Sequence, residues 1–467
     1  MALTQPRTAH PLEAAAAAKH ALPWAAVATL FVVQAFSFID RQAVSLLIQP
    51  IKADLGLTDT SISLIIGFGF AAAYALAGFP IGRAVDRGKR PVILAAGLAL
   101  WSLCTAGCAF VRSFGQLFAA RAGVGVGEAT MMPVALSLLG DYFPPRRRGL
   151  AFGIVGMSAY LGTGLSLIVG GLLVSALGAN GVHDLPGLPA VKSWQIIFLL
   201  IGLPGLLVLP LVLTLPEPRN GLGARRPRDQ ADLELSAVAG HYRLHRQAIL
   251  SHHFSNTLMA MLFYGVAAWV PEFLRRTYGI PLAQAGLYFG GVAMIAGALG
   301  VLAGGLLSDA LVAKGRIDGR LLTTLIGALG AAPLVFAFPL APSAGFSLAL
   351  LFAMLLFSAM ITSAGSTGLQ DLTRPRMRGI GSAIYFFIFN GLGMSLGPLL
   401  FALSTDHVFG NADELWKSIA AIGPLLAGSA ACIAFLGLGP YRRCAAANLE
   451  IEGFATPEPQ QLGRSGN

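Results

Sequence analysis

Apolar residues in this chain fall into twelve runs, each long enough to cross a bilayer, which takes about 20 residues of helix. The runs cover residues 24–48, 61–82, 91–111, 115–140, 149–177, 194–215, 249–274, 282–307, 321–340, 346–369, 379–403 and 416–438. Backbone N–H and C=O groups cannot be left unpaired in lipid, so continuous runs of this length indicate helices. The pattern therefore predicts an all-α membrane protein with twelve transmembrane helices, numbered here as spans 1 to 12.

The basic residues between the spans predict the orientation of the chain. Of the 32 Lys and Arg, 24 lie in the two chain ends and in the connections that follow spans 2, 4, 6, 8 and 10. The other connections hold six, and Arg41 and Arg121 lie inside spans. Because an excess of Lys and Arg marks cytoplasmic loops, we expect a multi-pass protein of the cell (inner) membrane with both termini in the cytoplasm. The net charge of +10 is then a topology signal, and no nucleic-acid partner is expected.

The composition agrees with a membrane protein. Hydrophobic residues make up 55% of the chain and charged residues 12%, whereas soluble domains carry about 25% charged residues. The N-terminal segment is polar and Ala-rich and does not resemble a secretory leader. The four cysteines have neither the spacing of metal ligands nor that of a disulfide framework, so we expect no metal and no cofactor.

A sequence repeat divides the chain into two halves. "DYFPPRRRGLAFG" begins at Asp141 and "DLTRPRMRGIGSA" begins at Asp371, a shift of 230 residues. Parallel repeats with a site near the membrane midplane are typical of transporters that work by alternating access. The predicted organisation is a cytoplasmic tail (1–20), a six-helix bundle (21–215), a cytoplasmic linker (216–247), a second six-helix bundle (248–440) and a cytoplasmic tail (441–467).

Several motifs carry a family resemblance. "GRAVDRGKR" after span 2 resembles the loop motif of the major facilitator superfamily, although it is one residue shorter than the family form. "DR" in span 1, "WSLCTAG" in span 3 and "RAGVGVGEA" in span 4 are similar to the spinster-like lipid transporters, including their bacterial homologues. The resemblance implies the superfamily fold and proton-coupled secondary transport of a lysophospholipid or a sphingosine-phosphate-like lipid. Organic-anion symporters of the same superfamily share "DR" and "GE", so a small organic anion remains the alternative substrate.

Four ionisable residues lie where a charge is costly. Asp40 and Arg41 are in span 1, and Arg121 and Glu128 are in span 4. Each such group costs about 2.5–3.5 kcal/mol at the centre of a membrane helix, so these residues must pair or face a cavity. A spacing of seven places Arg121 and Glu128 on one helix face. We expect Asp40 to approach Arg121, and Arg41 to turn toward Glu128 or the cavity.

The same four residues are the candidates for coupling and substrate binding. A carboxylate beside an arginine stays charged, whereas one that loses its partner in a dry cavity takes up a proton more readily. Asp40 and Glu128 are therefore the proton-coupling candidates, and Arg41 and Arg121 are the candidates that bind an anionic head group. The alternative is a fixed structural network. Buried ion pairs stabilise less than apolar packing does, which favours the functional interpretation.

The second half offers uncharged polar candidates for binding the substrate. Tyr264, Thr367, Tyr385 and Asn390 are polar side chains within apolar spans and are expected to contact the substrate. Singly, such residues are more often ordinary contacts between helices. The aromatic run that contains Tyr385 would line the cavity, face lipid or pack against another helix, and the sequence does not decide between these.

Charged residues in the cytoplasmic loops are expected to form a gate between the halves. The gate candidates are Asp86, Arg87, Arg148, Asp309 and Arg378. For the arginines the alternative is the orientation bias alone, while acidic residues contribute little to that bias.

Other classes of function lack their motifs. No GxxxxGK[ST] sequence indicates an ATP-driven pump, and no nucleophile lies near a base, so we do not expect an enzyme. The expected partners are an anionic amphiphilic lipid, protons and the bilayer, and the protein is expected to be a monomer. A receptor or scaffold with a transporter fold remains open.

Overall fold

A computed structural model of the protein describes residues 11–143, 145–184, 190–218, 235–374 and 377–451. These residues are almost entirely helical, and twelve helical stretches are long and apolar enough to cross a membrane. The predicted all-α architecture with twelve spans is therefore confirmed. The spans are Pro23–Leu46, Asp59–Gly78, Arg90–Phe110, Phe114–Tyr142, Gly153–Leu177, Ser193–Leu213, Arg246–Tyr278, Leu282–Ala313, Gly319–Leu340, Ala344–Leu372, Ile380–Phe409 and Ala412–Leu449.

Several spans are built from more than one helical segment. The α-helices of the first half are Pro11–Leu46, Ile48–Leu55, Asp59–Ser63, Phe70–Arg87, Arg90–Gly107, Phe114–Glu128, Met131–Tyr142, Pro145–Leu177, Ser193–Leu206 and Leu209–Leu213. Those of the second half are Arg246–Tyr278, Leu282–Ala313, Gly319–Ala337, Ala344–Leu372, Arg378–Leu403 and Leu415–Ile451. Leu235–Leu244 forms a short helix before span 7, called here the linker helix.

The remaining elements are short. Leu64–Gly69 and Ser404–Phe409 are π-helical segments in spans 2 and 11. Three 3₁₀ turns cover Cys108–Phe110, Phe338–Leu340 and Ala412–Glu414. Strands β1 (Val182–His183) and β2 (Val191–Lys192) pair antiparallel before span 6, with Val182 opposite Lys192.

The repeat seen in the sequence is also present in the structure. Spans 4 and 10 each begin with a serine N-cap, Ser113 and Ser343, whose hydroxyl accepts a hydrogen bond from the backbone N–H three residues on. Gly97 in span 3 lies against the carbonyl of Gly127, and Gly327 in span 9 lies against that of Phe357. Each of these pairs of positions differs by the shift of 230 residues, so the two halves use the same local contacts.

The two halves meet through glycines that allow close backbone approach. A Cβ added to Gly171 in span 5 would lie 2.6 Å from the carbonyl oxygen of Ala283 in span 8. A Cβ on Gly67 in span 2 would lie 2.4 Å from the carbonyl oxygen of Met394 in span 11. Real Cβ atoms do not approach an oxygen so closely, so these contacts require residues without a side chain.

The halves are also joined by ion pairs at the side of the protein opposite the chain ends, called here the far face. Arg276, at the end of span 7, donates to Asp59, at the start of span 2, with N–O distances of 2.7 and 3.0 Å. Lys52 contacts the same carboxylate, and Glu272 accepts from Arg276 at 2.6 Å. Asp59, Glu272 and Arg276 have almost no solvent exposure. We call these three residues the far-face latch.

A second polar contact adds to the latch. Asp406 in span 11 accepts hydrogen bonds from the backbone N–H and the hydroxyl of Thr60 at 2.6 and 2.7 Å. Spans 2, 7 and 11 are therefore held together at this end, and the protein is closed on its far face.

Candidate functional site

The four ionisable residues of spans 1 and 4 meet inside the protein, as their cost in lipid requires. The relative exposure of Glu128 is 0%, that of Arg121 is 1% and that of Asp40 is 2%. The side chain of Arg41 is 13% exposed. None of the four faces the surrounding lipid.

Arg41 and Glu128 form an ion pair across spans 1 and 4. Arg41 Nε and Nη2 each lie 2.5 Å from Glu128 Oε2, and the Ser37 hydroxyl donates to the same oxygen at 2.6 Å. The second carboxylate oxygen, Oε1, has no hydrogen-bond partner among the described residues. Glu128 is thus held through one oxygen by charge-assisted bonds, while its other oxygen is left for a proton or a ligand.

The Arg41 guanidinium lies among aromatic rings. Its Cζ is 4.8 Å from the Phe38 ring centroid, 4.7 Å from that of Phe70 and 5.7 Å from that of Tyr74. Nη1 lies 3.8 Å from Met394 Sδ in span 11. Cation–π contacts of this kind stabilise a guanidinium in a dry site, and Arg41 therefore contacts both halves of the protein.

Arg121 approaches Asp40, but it does so through the main chain. Arg121 Nη1 donates to the backbone oxygen of Asp40 at 3.3 Å. Within the described chain, neither Asp40 Oδ1 nor Arg121 Nε has a hydrogen-bond partner. Neighbouring residues point about 100° apart on a helix, so with Arg41 aimed at Glu128 the Asp40 side chain points in a different direction. The expected approach is present, without an ion pair between the two side chains.

Arg41 and Arg121 border a small cavity between the two halves. One wall carries the guanidinium groups of Arg41 and Arg121, from the first half. The opposite wall comes from spans 7 and 11 and is mainly apolar and aromatic. Its residues are Phe263, Tyr264, Ala268, Met394 and Pro398. The cavity is therefore cationic on one side and apolar on the other.

Of the uncharged polar candidates, Tyr264 lines this cavity and Asn390 contacts it through Tyr264. Tyr264 lines it, and its hydroxyl donates to Asn390 Oδ1 at 3.2 Å. Asn390 comes one helical turn before Met394, which also lines the cavity. A ligand in the cavity would meet a tyrosine hydroxyl that is already oriented by an amide.

The other two candidates lie away from the cavity. Tyr385 is buried and packs against His252 and His253 within the second half. It comes nine residues before Met394, which at 100° per residue places it on the opposite face of span 11. Thr367 lies near the end of span 10, and its hydroxyl donates to the carbonyl of Ser363 in its own helix at 2.8 Å. Neither residue lines the cavity in this conformation.

The predicted gate is only partly described. Arg87 and Asp309 are exposed at the side that carries the chain ends. The side chains of Asp86, Arg148 and Arg378 lie outside the described residues. The gating role of all five residues stays a prediction.

Sequence reasoning missed two buried charged groups at the ends of spans. The far-face latch was missed because the apolar runs of spans 2 and 7 stop short of Asp59 and Arg276. The other group centres on Arg90, whose side chain is buried and lies 2.6 Å from Asp141 Oδ2 and 3.0 Å from Glu217 Oε1. Arg90 was missed because the sequence assigns it to the loop motif. For the far-face latch the available signal was Glu272, an acidic residue four positions before Arg276.

Comparison with known proteins identifies the family. The model of the Major Facilitator Superfamily matches residues 30–398, which is more than half of the chain. The chain belongs to the Major Facilitator Superfamily. Its members are transporters and not enzymes, in agreement with the prediction that this chain is a carrier without enzymatic activity.

Curated relatives include an efflux pump, a probable L-galactonate transporter and a spinster homologue. An MFS-type efflux pump of Mycolicibacterium smegmatis is 30% identical over 394 residues, which cover 82% of this chain and 85% of the relative. A probable L-galactonate transporter of Escherichia coli is 26% identical over 427 residues, covering 86% and 87%. Protein spinster homolog 3 of Danio rerio is 25% identical over 415 residues, covering 84% and 79%. The resemblance to spinster-like transporters is thus confirmed.

Solved structures share the fold. An inward-facing, unoccupied bacterial homologue of the human lysosomal transporter spinster matches with a TM-score of 0.75 and 24% identity, covering 92% of this chain and 98% of that one. A D-xylose–proton symporter matches with a TM-score of 0.63 and 18% identity, covering 88% and 97%. Both comparisons agree with the two-half architecture described above.

Proposed function

We propose that this protein is a proton-coupled carrier that moves an amphiphilic anion, such as a lysophospholipid or a sphingosine-phosphate-like lipid, by alternating access. The observation that carries the proposal is the two-sided cavity, with Arg41 and Arg121 on one wall and apolar side chains of spans 7 and 11 on the other. The charge of the first wall suits an anionic head group, and the apolar side chains of the second wall suit an acyl chain.

The charge balance of the site supports an anionic substrate. With both carboxylates ionised, Asp40, Arg41, Arg121 and Glu128 sum to zero. One proton on either acid leaves a net positive charge, and a bound anion then restores neutrality in a region where net charge is costly. Uptake of a proton and binding of an anion thereby favour each other.

The contacts of Arg41 give this exchange a route. Arg41 uses Nε and Nη2 on Glu128 Oε2, so it cannot make the same contacts with a head group at the same time. Protonation of Glu128 weakens this pair and releases Arg41 toward the cavity. Arg121 has no carboxylate partner among the described residues and supplies a second cation. Asp40, with an unpartnered Oδ1, is the second candidate to hold a proton.

Alternating access requires the far face to open. In the proposed cycle the bundles 21–215 and 248–440 rock about the cavity, and opening of the far face separates Asp59 from Arg276. Charged pairs that form in one state and break in the other give each state its own stability. We place the opposite face, which carries the chain ends, in the cytoplasm of a cell with the protein in its inner membrane, because the basic loops lie on that side.

A small organic anion is the second candidate substrate. The L-galactonate transporter of Escherichia coli and the hexuronate transporter of Bacillus subtilis are among the relatives, each about a quarter identical to this chain. A sugar acid needs several hydrogen-bonding groups besides a cation. Besides the two arginines, the cavity offers the polar side chains of Gln42, Thr163 and Tyr264. The wall from spans 7 and 11 is otherwise apolar, which favours the amphiphile.

Uptake by purified protein in vesicles with an imposed pH gradient tests the proposal. The panel contains a lysophospholipid, sphingosine phosphate, a hexuronate and L-galactonate, each offered alone and in competition. We expect gradient-dependent uptake of a lipid that the sugar acids do not inhibit. Uptake of a sugar acid alone would refute the lipid assignment, and binding of the lipid without gradient-dependent uptake would support a receptor instead. Empty vesicles and a dissipated gradient are the controls.

A further inference from the structure

Two histidines and a cysteine meet at the face of the protein that carries the chain ends. His241 and His245 lie one helical turn apart at the end of the linker helix, where the His245 N–H donates to the His241 carbonyl at 3.0 Å. Cys444 comes from span 12, about 200 residues later in the chain. The three potential ligand atoms all lie within 4.8 Å of one another.

The hydrogen bonds of His241 orient one nitrogen toward this cluster. Its Nε2 lies 2.8 Å from the carbonyl oxygen of Leu372, the last residue of span 10, so Nε2 carries the proton and Nδ1 has the free lone pair. Nδ1 is buried and has no hydrogen-bond partner in the described part of the chain. An imidazole that donates one N–H to a backbone carbonyl and presents its other nitrogen is the usual arrangement of a metal-ligating histidine.

Cys444 has a comparable environment. The residue is 1% exposed, and its Sγ lies 3.8 Å from the Leu372 carbonyl oxygen that His241 also contacts, with Asn448 Nδ2 at 4.0 Å on the same helix. Asn448 is itself fixed by donation to the carbonyl of Asp371 at 2.8 Å. The C-terminal end of span 10 points its last carbonyls at the same region, and the helix dipole makes this end favourable for a cation.

We propose that His241, His245 and Cys444 form a binding site for one divalent metal ion of borderline softness, with Zn²⁺ as the best match. Imidazole nitrogen and thiolate sulfur are the ligands that Zn²⁺ takes in proteins, and hard cations such as Mg²⁺ and Ca²⁺ prefer oxygen. His245 is only partly buried, which gives the ion access and leaves a fourth position to water. Binding releases the thiol proton of Cys444 to solvent.

Such an ion would cross-link the linker helix to the second half of the protein. None of the three residues lines the cavity of spans 1 and 4, so the site is distinct from the proposed substrate site. The spacing of four between His241 and His245 is one that metal-binding histidines use on a helix face. The sequence alone does not reveal the site, because the third ligand, Cys444, lies about 200 residues later in the chain.

Cobalt binding to the purified full-length protein, without an affinity tag that contains histidine, tests the proposal. Co²⁺ reports its ligands by absorption, and a thiolate ligand adds a sulfur-to-cobalt charge-transfer band. We expect this band at one Co²⁺ per protein and its loss on addition of Zn²⁺. The Cys444→Ser variant should lack the band. His241→Ala and His245→Ala should weaken Zn²⁺ affinity by at least the roughly 10–100-fold that loss of an outer-shell partner costs.

The chain offers matched controls. Cys432 lies in the same span as Cys444 and is exposed, and His407 is an exposed histidine near the far face. Cys432→Ser and His407→Ala should keep the band and the affinity. The absence of a charge-transfer band from the wild-type protein would overturn the proposal, whether or not a variant folds. Retention of the band in Cys444→Ser, or unchanged Zn²⁺ affinity in both histidine variants, would overturn it as well.

Discussion

The two halves of this protein share their construction at the ends of the spans and differ in the middle of the membrane. Arg90 pairs with Asp141 in the first half, and Arg320 pairs with Asp371 at the equivalent positions of the second. In the middle of span 4, Arg121 and Glu128 are charged, whereas their counterparts 230 residues later are Leu351 and Ser358.

This difference separates the requirements of the fold from those of the proposed function. Leu351 and Ser358 are as deeply buried as Arg121 and Glu128, so the second half shows that the architecture does not need charges at this depth. Each charge there costs about 2.5–3.5 kcal/mol in a membrane helix. The first half retains two of them in span 4 alone, which supports a role beyond holding helices together.

The largest effect is expected where the equivalent ion pairs differ in burial. Arg90 is 0% exposed and also contacts Glu217, while the side chains of Arg320 and Asp371 are 22% and 25% exposed. Breaking a buried ion pair costs about 3–5 kcal/mol. Arg90→Gln should therefore reduce the free energy of unfolding by an amount near the lower end of this range, since Asp141 is partly exposed. Arg320→Gln should cost about 1 kcal/mol.

The measurement for this pair is the thermal unfolding midpoint in detergent, with Arg87→Gln as an exposed control on the same loop. Equal losses in Arg90→Gln and Arg320→Gln would show that burial does not distinguish the two pairs.

Glu128→Gln and Ser358→Ala test whether the equivalent mid-membrane positions of spans 4 and 10 differ in their importance for transport. The glutamine keeps the shape of a protonated glutamate but removes the charge that holds Arg41. A hydrogen bond to a charged group contributes roughly 1.5–3 kcal/mol, so gradient-driven uptake should fall by about 10–100-fold. Ser358→Ala should transport normally. The readout is initial uptake in vesicles with and without a pH gradient, and concentrative uptake by Glu128→Gln at the wild-type rate would remove Glu128 from the coupling scheme.

The far-face latch links the halves, and Asp59→Asn should weaken it. Among the described residues the variant leaves Glu272 as the carboxylate partner of Arg276, so states open on the far face should become more populated. The probe is a cysteine at Ser63, a buried position behind the latch, which a membrane-impermeant maleimide labels when the far face opens. If Asp59→Asn removes about 1.4 kcal/mol of stabilisation from the closed state, Ser63→Cys should react about tenfold faster in the Asp59→Asn background. Asp413→Asn, an exposed acid on the same face, is the control. An unchanged labelling rate would mean that the latch does not hold the closed state.

Much of this architecture was predictable from the sequence because lipid imposes strict rules. Helical spans follow from the length of the apolar runs. The need of buried charges to find partners makes Glu128 one of the two expected directions for Arg41, with the cavity as the other. The far-face latch was not predictable in the same way. Asp59 and Arg276 lie beyond the apolar runs, and their contact depends on which spans are neighbours in the assembled protein.

The direction of single side chains was also beyond the sequence. Tyr385 and Asn390 are both polar residues of span 11, yet a difference of five residues places them on different faces of the helix. Tyr385 packs against His252 and His253, while Asn390 orients Tyr264 at the cavity. A pattern of residue types contains no signal for the rotation of a span about its own axis when most of its surface is apolar.

The smallest predicted effect concerns a feature that the halves share. Ser113 and Ser343 cap spans 4 and 10 in the same way, each accepting from the N–H three residues on with the same extended backbone. Removal of a serine N-cap costs about 1 kcal/mol, so Ser113→Ala and Ser343→Ala should lower the unfolding midpoint in detergent by the same small amount and leave uptake unchanged. Ser113→Thr should restore most of the loss, because threonine also caps. Unequal losses would show that the two caps contribute differently to stability although their geometry is the same. The asymmetry of the halves would then extend from the middle of the membrane to the far face.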